Sequence, residues 1–92
     1  MQKKQTEQQI IEQVKSKWIK FAIVTRLPKT VRITVRSKEK EDNTNTLLGM
    51  IVWFPRWRCY AYEPYPATIY EKVCMRDIAN LLELLTNNQR IK

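Results

Sequence analysis

Apolar positions recur at helical spacing near both ends of the chain and at alternate positions between them. Near the start, Ile10, Ile11, Val14 and Trp18 share one face, with Glu12, Gln13, Ser16 and Lys17 opposite or flanking. Thr6-x-x-Gln9 ahead of them has the form of a capping box, in which a hydroxyl and an amide satisfy the first free N–H groups of a helix. The pattern predicts an amphipathic helix over about residues 7–18. Near the other end, Cys74, Met75, Ile78, Leu81, Leu82 and Leu85 fall within one arc of a helical wheel, with Arg76, Asn80, Glu83 and Asn87 across from it. That predicts a second helix over about 72–87, stopped near Asn87-Asn88.

Between the helices the period drops to two. Ile19, Phe21, Ile23 and Thr25 alternate with Lys20, Ala22, Val24 and Arg26. Phe21 and Ala22 would also continue the first helical stripe. Ile19 lies outside that stripe, and the Ile-Val-Thr run favours a strand over 20–26. Leu27-Pro28-Lys29-Thr30 reads as a turn. Val31, Ile33 and Val35 then alternate with Arg32, Thr34 and Arg36, a half-buried strand with a cationic outer face. Residues 38–46 are polar throughout and read as a mobile hairpin loop. Over 47–54 both alternating sets are apolar, so this strand is either covered on two faces or carries a binding surface on one. Gly49 within it leaves room for a neighbouring side chain or a bulge. Over 57–63, Trp57, Cys59 and Ala61 oppose Arg58, Tyr60 and Tyr62, and the second set is the more solvent-tolerant. Pro64 and Pro66 end the strand, and Thr68-Ile69-Tyr70 offers a short edge pairing. The predicted fold is α+β: an N-terminal amphipathic helix, an antiparallel meander of three or four strands, and a C-terminal helix packed on one sheet face.

Ninety-two residues, 43% apolar and 28% charged, suit one small domain with a thin core, frayed over 1–5 and 88–92. The net charge of +8 changes the picture more. A positive field of that size favours polyanionic partners. It is uneven: residues 1–46 carry 11 Lys and Arg against 5 Asp and Glu, and residues 47–92 carry 6 against 4. The blander reading is a solubility surface. Cys59 and Cys74 do not make a disulfide framework. No apolar segment follows Met1-Gln2-Lys3-Lys4-Gln5, and the longest apolar run, Leu47 to Phe54, is far short of a membrane span. Reduced thiols, a cytoplasmic location and no membrane partner are the economical expectation.

Without histidine, the commonest general base and metal ligand are missing. A single glycine cannot build a phosphate-cradling Gly-rich loop. No catalytic residue, metal site or cofactor is predicted, and the chain reads as non-enzymatic. What remains is binding. Arg56 and Arg58 flank Trp57, and Tyr60 and Tyr62 alternate onto the face of Arg58. Arg32 and Arg36 add charge from a neighbouring strand. Guanidinium groups neutralise phosphates and flat rings stack on bases, so these seven residues suit nucleic acid, single-stranded in preference. The same aromatics could equally pack a thin core or form a protein–protein hot spot, with a host protein or a second copy as partner.

Were 20–26 helical, the order α-β-β-β-α would be similar to the double-stranded-RNA-binding domain. Its lysine cluster is missing where the second helix opens Glu71-Lys72-Val73-Cys74-Met75-Arg76-Asp77, so that family is not indicated. Residues 48–85 resemble a pattern of small uncharacterised proteins of tailed bacteriophages and prophages. The matching positions are Leu48-Gly49, Ile51, Trp53, Pro55, Trp57-Arg58, Tyr60, Tyr62, Pro64, Thr68-Ile69-Tyr70, Cys74-Met75 and Asp77-Ile78. The chain departs from the pattern in its N-terminal half and at Tyr62 and Tyr70, where phenylalanine is expected. The resemblance brings no assigned activity. It implies a phage accessory protein acting in bacterial cytoplasm and says nothing directly about nucleic acid. Phage proteins of this size often bind and inhibit host factors, so an inhibitor of a host enzyme or defence system is the alternative to nucleic-acid binding.

Overall fold

The computed structural model describes residues 4–38 and 45–91. The elements are α1 (Glu7–Gln13), β1 (Ile19–Arg26), β2 (Val31–Ser37), β3 (Leu47–Phe54), β4 (Cys59–Pro64) and α2 (Lys72–Gln89). The strands form one antiparallel sheet in the order β1-β2-β3-β4. The α+β meander with a C-terminal helix on one face is therefore what forms, with four strands. Residues 19–26 are strand. Most of the loop expected to be mobile over 38–46 lies outside the described residues; its base is closed by Ser37 N–H to the Thr46 carbonyl (2.9 Å) and Thr46 N–H to Ser37 Oγ (2.8 Å).

The capping box forms as the spacing predicts, with Gln9 N–H donating to Thr6 Oγ1 (3.2 Å) and Thr6 N–H to Gln9 Oε1 (2.9 Å). The helix stops at Gln13, not 18. Val14 takes extended φ and ψ of −96° and 100°. From there Val14 and Ser16 turn inward while Lys15 and Lys17 stay exposed. Buried Ser16 donates its hydroxyl to Asp77 Oδ2 at 2.6 Å, an interaction with α2 that hydrophobic spacing could not reveal. Trp18, expected on the apolar face of α1, is consequently half exposed.

A single core gathers Ile10, Ile11 and Val14 with Cys74, Ile78, Leu81 and Leu85 against Val31, Ile33, Val35, Ile51 and Tyr60. Both helices thus share one face of the sheet. The ends of the helical layer are tied together: Gln5 N–H donates to Asn88 Oδ1 (2.7 Å), and Asn88 Nδ2 returns a bond to the Gln5 carbonyl (2.8 Å). Asn88 is buried and helical, so at Gln5 and Asn88 the chain is anchored where fraying was expected.

β3 and β4 are locked by side chains. A Cβ on Gly49 would lie 2.5 Å from both the Glu63 carbonyl oxygen and Tyr62 Oη, so the room predicted at this glycine is filled by the Tyr62 ring. The Tyr62 hydroxyl meets Tyr70 Oη at 2.7 Å, and Tyr70 donates to the Leu48 carbonyl at 2.8 Å. The same carbonyl accepts Tyr65 N–H at 2.8 Å. The Leu48 carbonyl takes both on its two lone pairs, the Tyr65 bond continuing the β3–β4 pairing one step past Gly49–Pro64.

Gly49→Ala should destabilise the fold by about 2–3 kcal/mol, because one of the two clashing atoms is backbone and cannot rotate away; urea denaturation measures it. Burial raises the Tyr60 phenol, offset in part by Val31 N–H. Burial and then the Tyr70 contact raise Tyr62 well above its ordinary range. The folded chain therefore holds these protons more tightly than the unfolded chain. The stability contributed by these two tyrosines should be level below their ordinary value of 10.0 and fall as the pH rises past it. Tyr62→Phe should flatten that fall in denaturation curves taken across the alkaline range.

Candidate nucleic-acid interface

Strand alternation places Lys20, Ala22, Thr25, Arg32, Thr34, Arg36, Leu47, Met50, Val52, Phe54, Cys59 and Ala61 on the face away from the helices, following the pairings Lys20–Arg36, Ala22–Thr34, Thr34–Met50, Val52–Ala61 and Phe54–Cys59. No described element covers this face. Its middle is apolar and part-exposed at Met50, Val52, Phe54, Cys59 and Ala61. Thr34 is buried among its neighbours, its hydroxyl donating to the Ala22 carbonyl at 3.3 Å. Arg32 is exposed, and Arg36 donates from Nη1 to Asn45 Oδ1 at 3.3 Å. A depression of about 290 Å³ beside Arg32 is lined by Met50, Val52 and Phe54, with Glu63 opposite Met50.

At one end of this face the β3–β4 hairpin turns through 55–58, so β4 starts at Cys59 and not at 57. Trp57 N–H donates to the Phe54 carbonyl (3.1 Å) and Arg58 N–H to the Pro55 carbonyl (3.2 Å). Two such turns in succession need a left-handed residue to rejoin the strand. Arg58 supplies it at φ 52°, a conformation that favours glycine. Its carbonyl accepts a hydrogen bond from Arg90 Nη2 at 3.1 Å. Trp57 is 66% exposed and leans on Phe54, ring centroids 4.5 Å apart. Arg56 and Arg58 are exposed on either side of it.

The tyrosines are placed the other way from the expectation. Tyr60 is 3% exposed and lies in the core, edge-on to Trp53 at 5.3 Å. Its hydroxyl accepts Val31 N–H at 3.3 Å, and its own N–H donates to Thr86 Oγ1 at 3.0 Å. Tyr62 packs on the same core and is engaged with Tyr70. Neither ring is available to a ligand on the helix-free face. Residue 57 belongs to the turn and not to β4, so alternation along the strand does not extend to it, and Trp57 is the exposed aromatic of the group. Of the seven expected residues, the structure brings Arg32 and Arg36 to the helix-free face and Arg56, Trp57 and Arg58 to its end. It removes Tyr60 and Tyr62. Phe54, Met50 and Val52 join as the floor; their alternation was visible in the sequence, but not which face the helices would take.

Among the described residues, no three Cys, Asp or Glu side chains cluster as metal ligands. Burial raises the Cys74 thiol and keeps it protonated. No helix among those residues is long and apolar enough to cross a membrane. Comparison with protein-family models, curated proteins and solved structures gives no match to this chain.

Relieving the left-handed residue separates stability from binding at the turn. Arg58→Gly should raise stability by up to about 1 kcal/mol, whereas Arg58→Ala keeps the strain and should not. Ala67, at φ 60° in the β4–α2 connection, provides a control away from the site: Ala67→Gly should stabilise similarly. Thermal melts of the three variants measure the effect.

Proposed function

We propose that the helix-free sheet face and the 55–58 turn bind single-stranded nucleic acid. The observation that carries this reading is the pairing of an uncovered apolar sheet face with cations at its margin and an exposed tryptophan at its end. Arg32, Arg36, Arg56 and Arg58 neutralise phosphates. Trp57, backed by Phe54, offers a base a flat ring, and Met50 and Val52 accept a second base or a sugar. Single strands fit better than a duplex, since stacking on Trp57 needs an unpaired base face. Glu63 beside the Arg32 depression could accept a hydrogen bond from an exocyclic amino group, favouring adenine, cytosine or guanine over thymine or uracil there. The chain then acts without catalysis. Its resemblance over residues 48–85 supports a phage accessory role in a bacterial host.

Charge separates this reading from a self-association through the same face. Two copies meeting face to face would gather Arg32 and Arg36 of both in one interface with Glu63 as the carboxylate beside them, whereas a polyanion neutralises all of them. A protein inhibitor using the same turn as a hot spot is the rival, supported by the Arg-Trp-Arg composition of the turn.

Fluorescence anisotropy with labelled oligothymidylate, oligoadenylate and RNA of mixed sequence tests the proposal. Affinity should fall with salt at a log–log slope of about −0.7 for each phosphate contact, and Arg32→Ala and Arg36→Ala should each reduce the slope by about that amount. Trp57→Ala should cost about 1–3 kcal/mol. Tyr60→Phe, altering only a buried hydroxyl, should leave binding unchanged. No binding of any of these oligonucleotides at low salt would overturn the assignment, and a salt-insensitive complex with a protein in its place would favour the rival.

A further inference from the structure

A second surface lies on the helix-bearing side, between the segment leading from α1 into β1 and the start of α2. Here a groove of about 710 Å³ has an apolar floor of Ile19, Leu48 and Cys74. Trp18 and Ile69 form its walls and are 50% and 91% exposed. An isoleucine this exposed beside an apolar groove leaves unfavourable surface in water that a docked apolar group would remove. Nothing in the fold requires it, since Ile69 belongs to neither a strand nor a helix.

The polar groups of the groove point to the chemistry of the occupant. Lys17 and Lys38 line it, Lys17 resting its ammonium 4.8 Å from the centre of the Trp18 ring. The one carboxylate among the lining residues, Glu71, is already engaged: it caps α2 by accepting Cys74 N–H at 2.7 Å. Among the described lining residues the groove thus offers an apolar floor and two lysines against one carboxylate, a net positive rim. No arginine lines it, and its walls are one aliphatic chain and one ring whose neighbour is a lysine, which is poor for stacking bases. A two-fold contact between copies would bring the lysine rim against itself.

We infer that this groove docks an acidic–apolar segment of a partner protein, placing one or two aliphatic side chains over Ile19, Leu48 and Cys74 and carboxylates at Lys17 and Lys38. It is a surface separate from the sheet face and does not depend on nucleic-acid binding. Together the two surfaces would let the chain hold a protein on one side while the other side is free for a polyanion.

The test uses the full isotope-labelled chain and two short synthetic peptides, one alternating leucine with glutamate and the other alternating leucine with lysine. The expected result is a saturable shift of the Trp18 indole N–H and of the Lys38, Ile69 and Cys74 amides by the glutamate peptide alone. Ile69→Glu should weaken that binding by about ten- to a hundredfold, the loss of one docked aliphatic contact plus a repulsive charge. Lys17→Glu with Lys38→Glu should abolish the preference for glutamate over lysine. Because Ile69 is fully outside the core, its variant should keep the wild-type circular dichroism spectrum and oligonucleotide affinity, so loss at the groove is distinct from loss at the sheet face or of the fold. The inference is overturned if the groove signals stay fixed up to about a millimolar peptide, a Kd too weak to count as docking. It is equally overturned if both peptides shift them alike, if only phosphatidylserine vesicles or an oligonucleotide do so, or if they move with protein concentration alone.

Discussion

The packing of both helices on one face of the sheet is the constraint from which the other features follow. In so short a chain, the apolar stripe of α2 and the single apolar cluster of α1 supply enough surface to cover one side of four strands and no more. Ile33, Val35, Ile51, Leu81 and Leu85 are essentially inaccessible to solvent at the centre of that contact. The opposite face is left to Met50, Val52, Phe54, Ala61 and the flanking cations. An apolar β3 that would be ordinary inside a two-sided sheet becomes a surface feature in a one-sided one.

The aromatic side chains divide along the same line. Tyr60 and Tyr62 face the helices and use their hydroxyls inside the fold, Tyr60 at the start of β2 and Tyr62 through Tyr70 to the Leu48 carbonyl. Each is large enough to fill a thin core and polar enough to hydrogen-bond inside it. Gly49 is the counterpart of that arrangement, since the Tyr62 ring lies where its Cβ would be. Trp57 escapes because residues 55–58 are consumed by the turn, and the left-handed Arg58 resets the alternation before β4 begins.

The two proposed surfaces have different physical character, which is why they suit different ligands. The sheet face presents guanidinium groups and a ring on a broad, shallow floor. The groove beside α2 presents lysines around a recess with aliphatic walls. Among the described residues that line the groove, Glu71 caps α2 through Oε1, and Lys17 and Lys38 outnumber it.

Local patterning alone determined most of the architecture. The Thr6–Gln9 capping box, the turn at Leu27–Thr30, the alternation of β2 and the stripe of α2 depend on neighbours a few residues apart, and the chain carries that information directly. The early end of α1 was not legible, because Ser16 is drawn out of the helix by a bond to Asp77, 61 residues away. Nor was the facing of β4. Alternation puts Trp57 on the side opposite Tyr60 and Tyr62, but it cannot say which side the helices will take or where a four-residue turn breaks the count. Arg32, Arg36, Arg56 and Arg58 were legible as a cationic set from composition and spacing. Only tertiary structure decided which aromatic stands with them, because that depends on which face α2 covers.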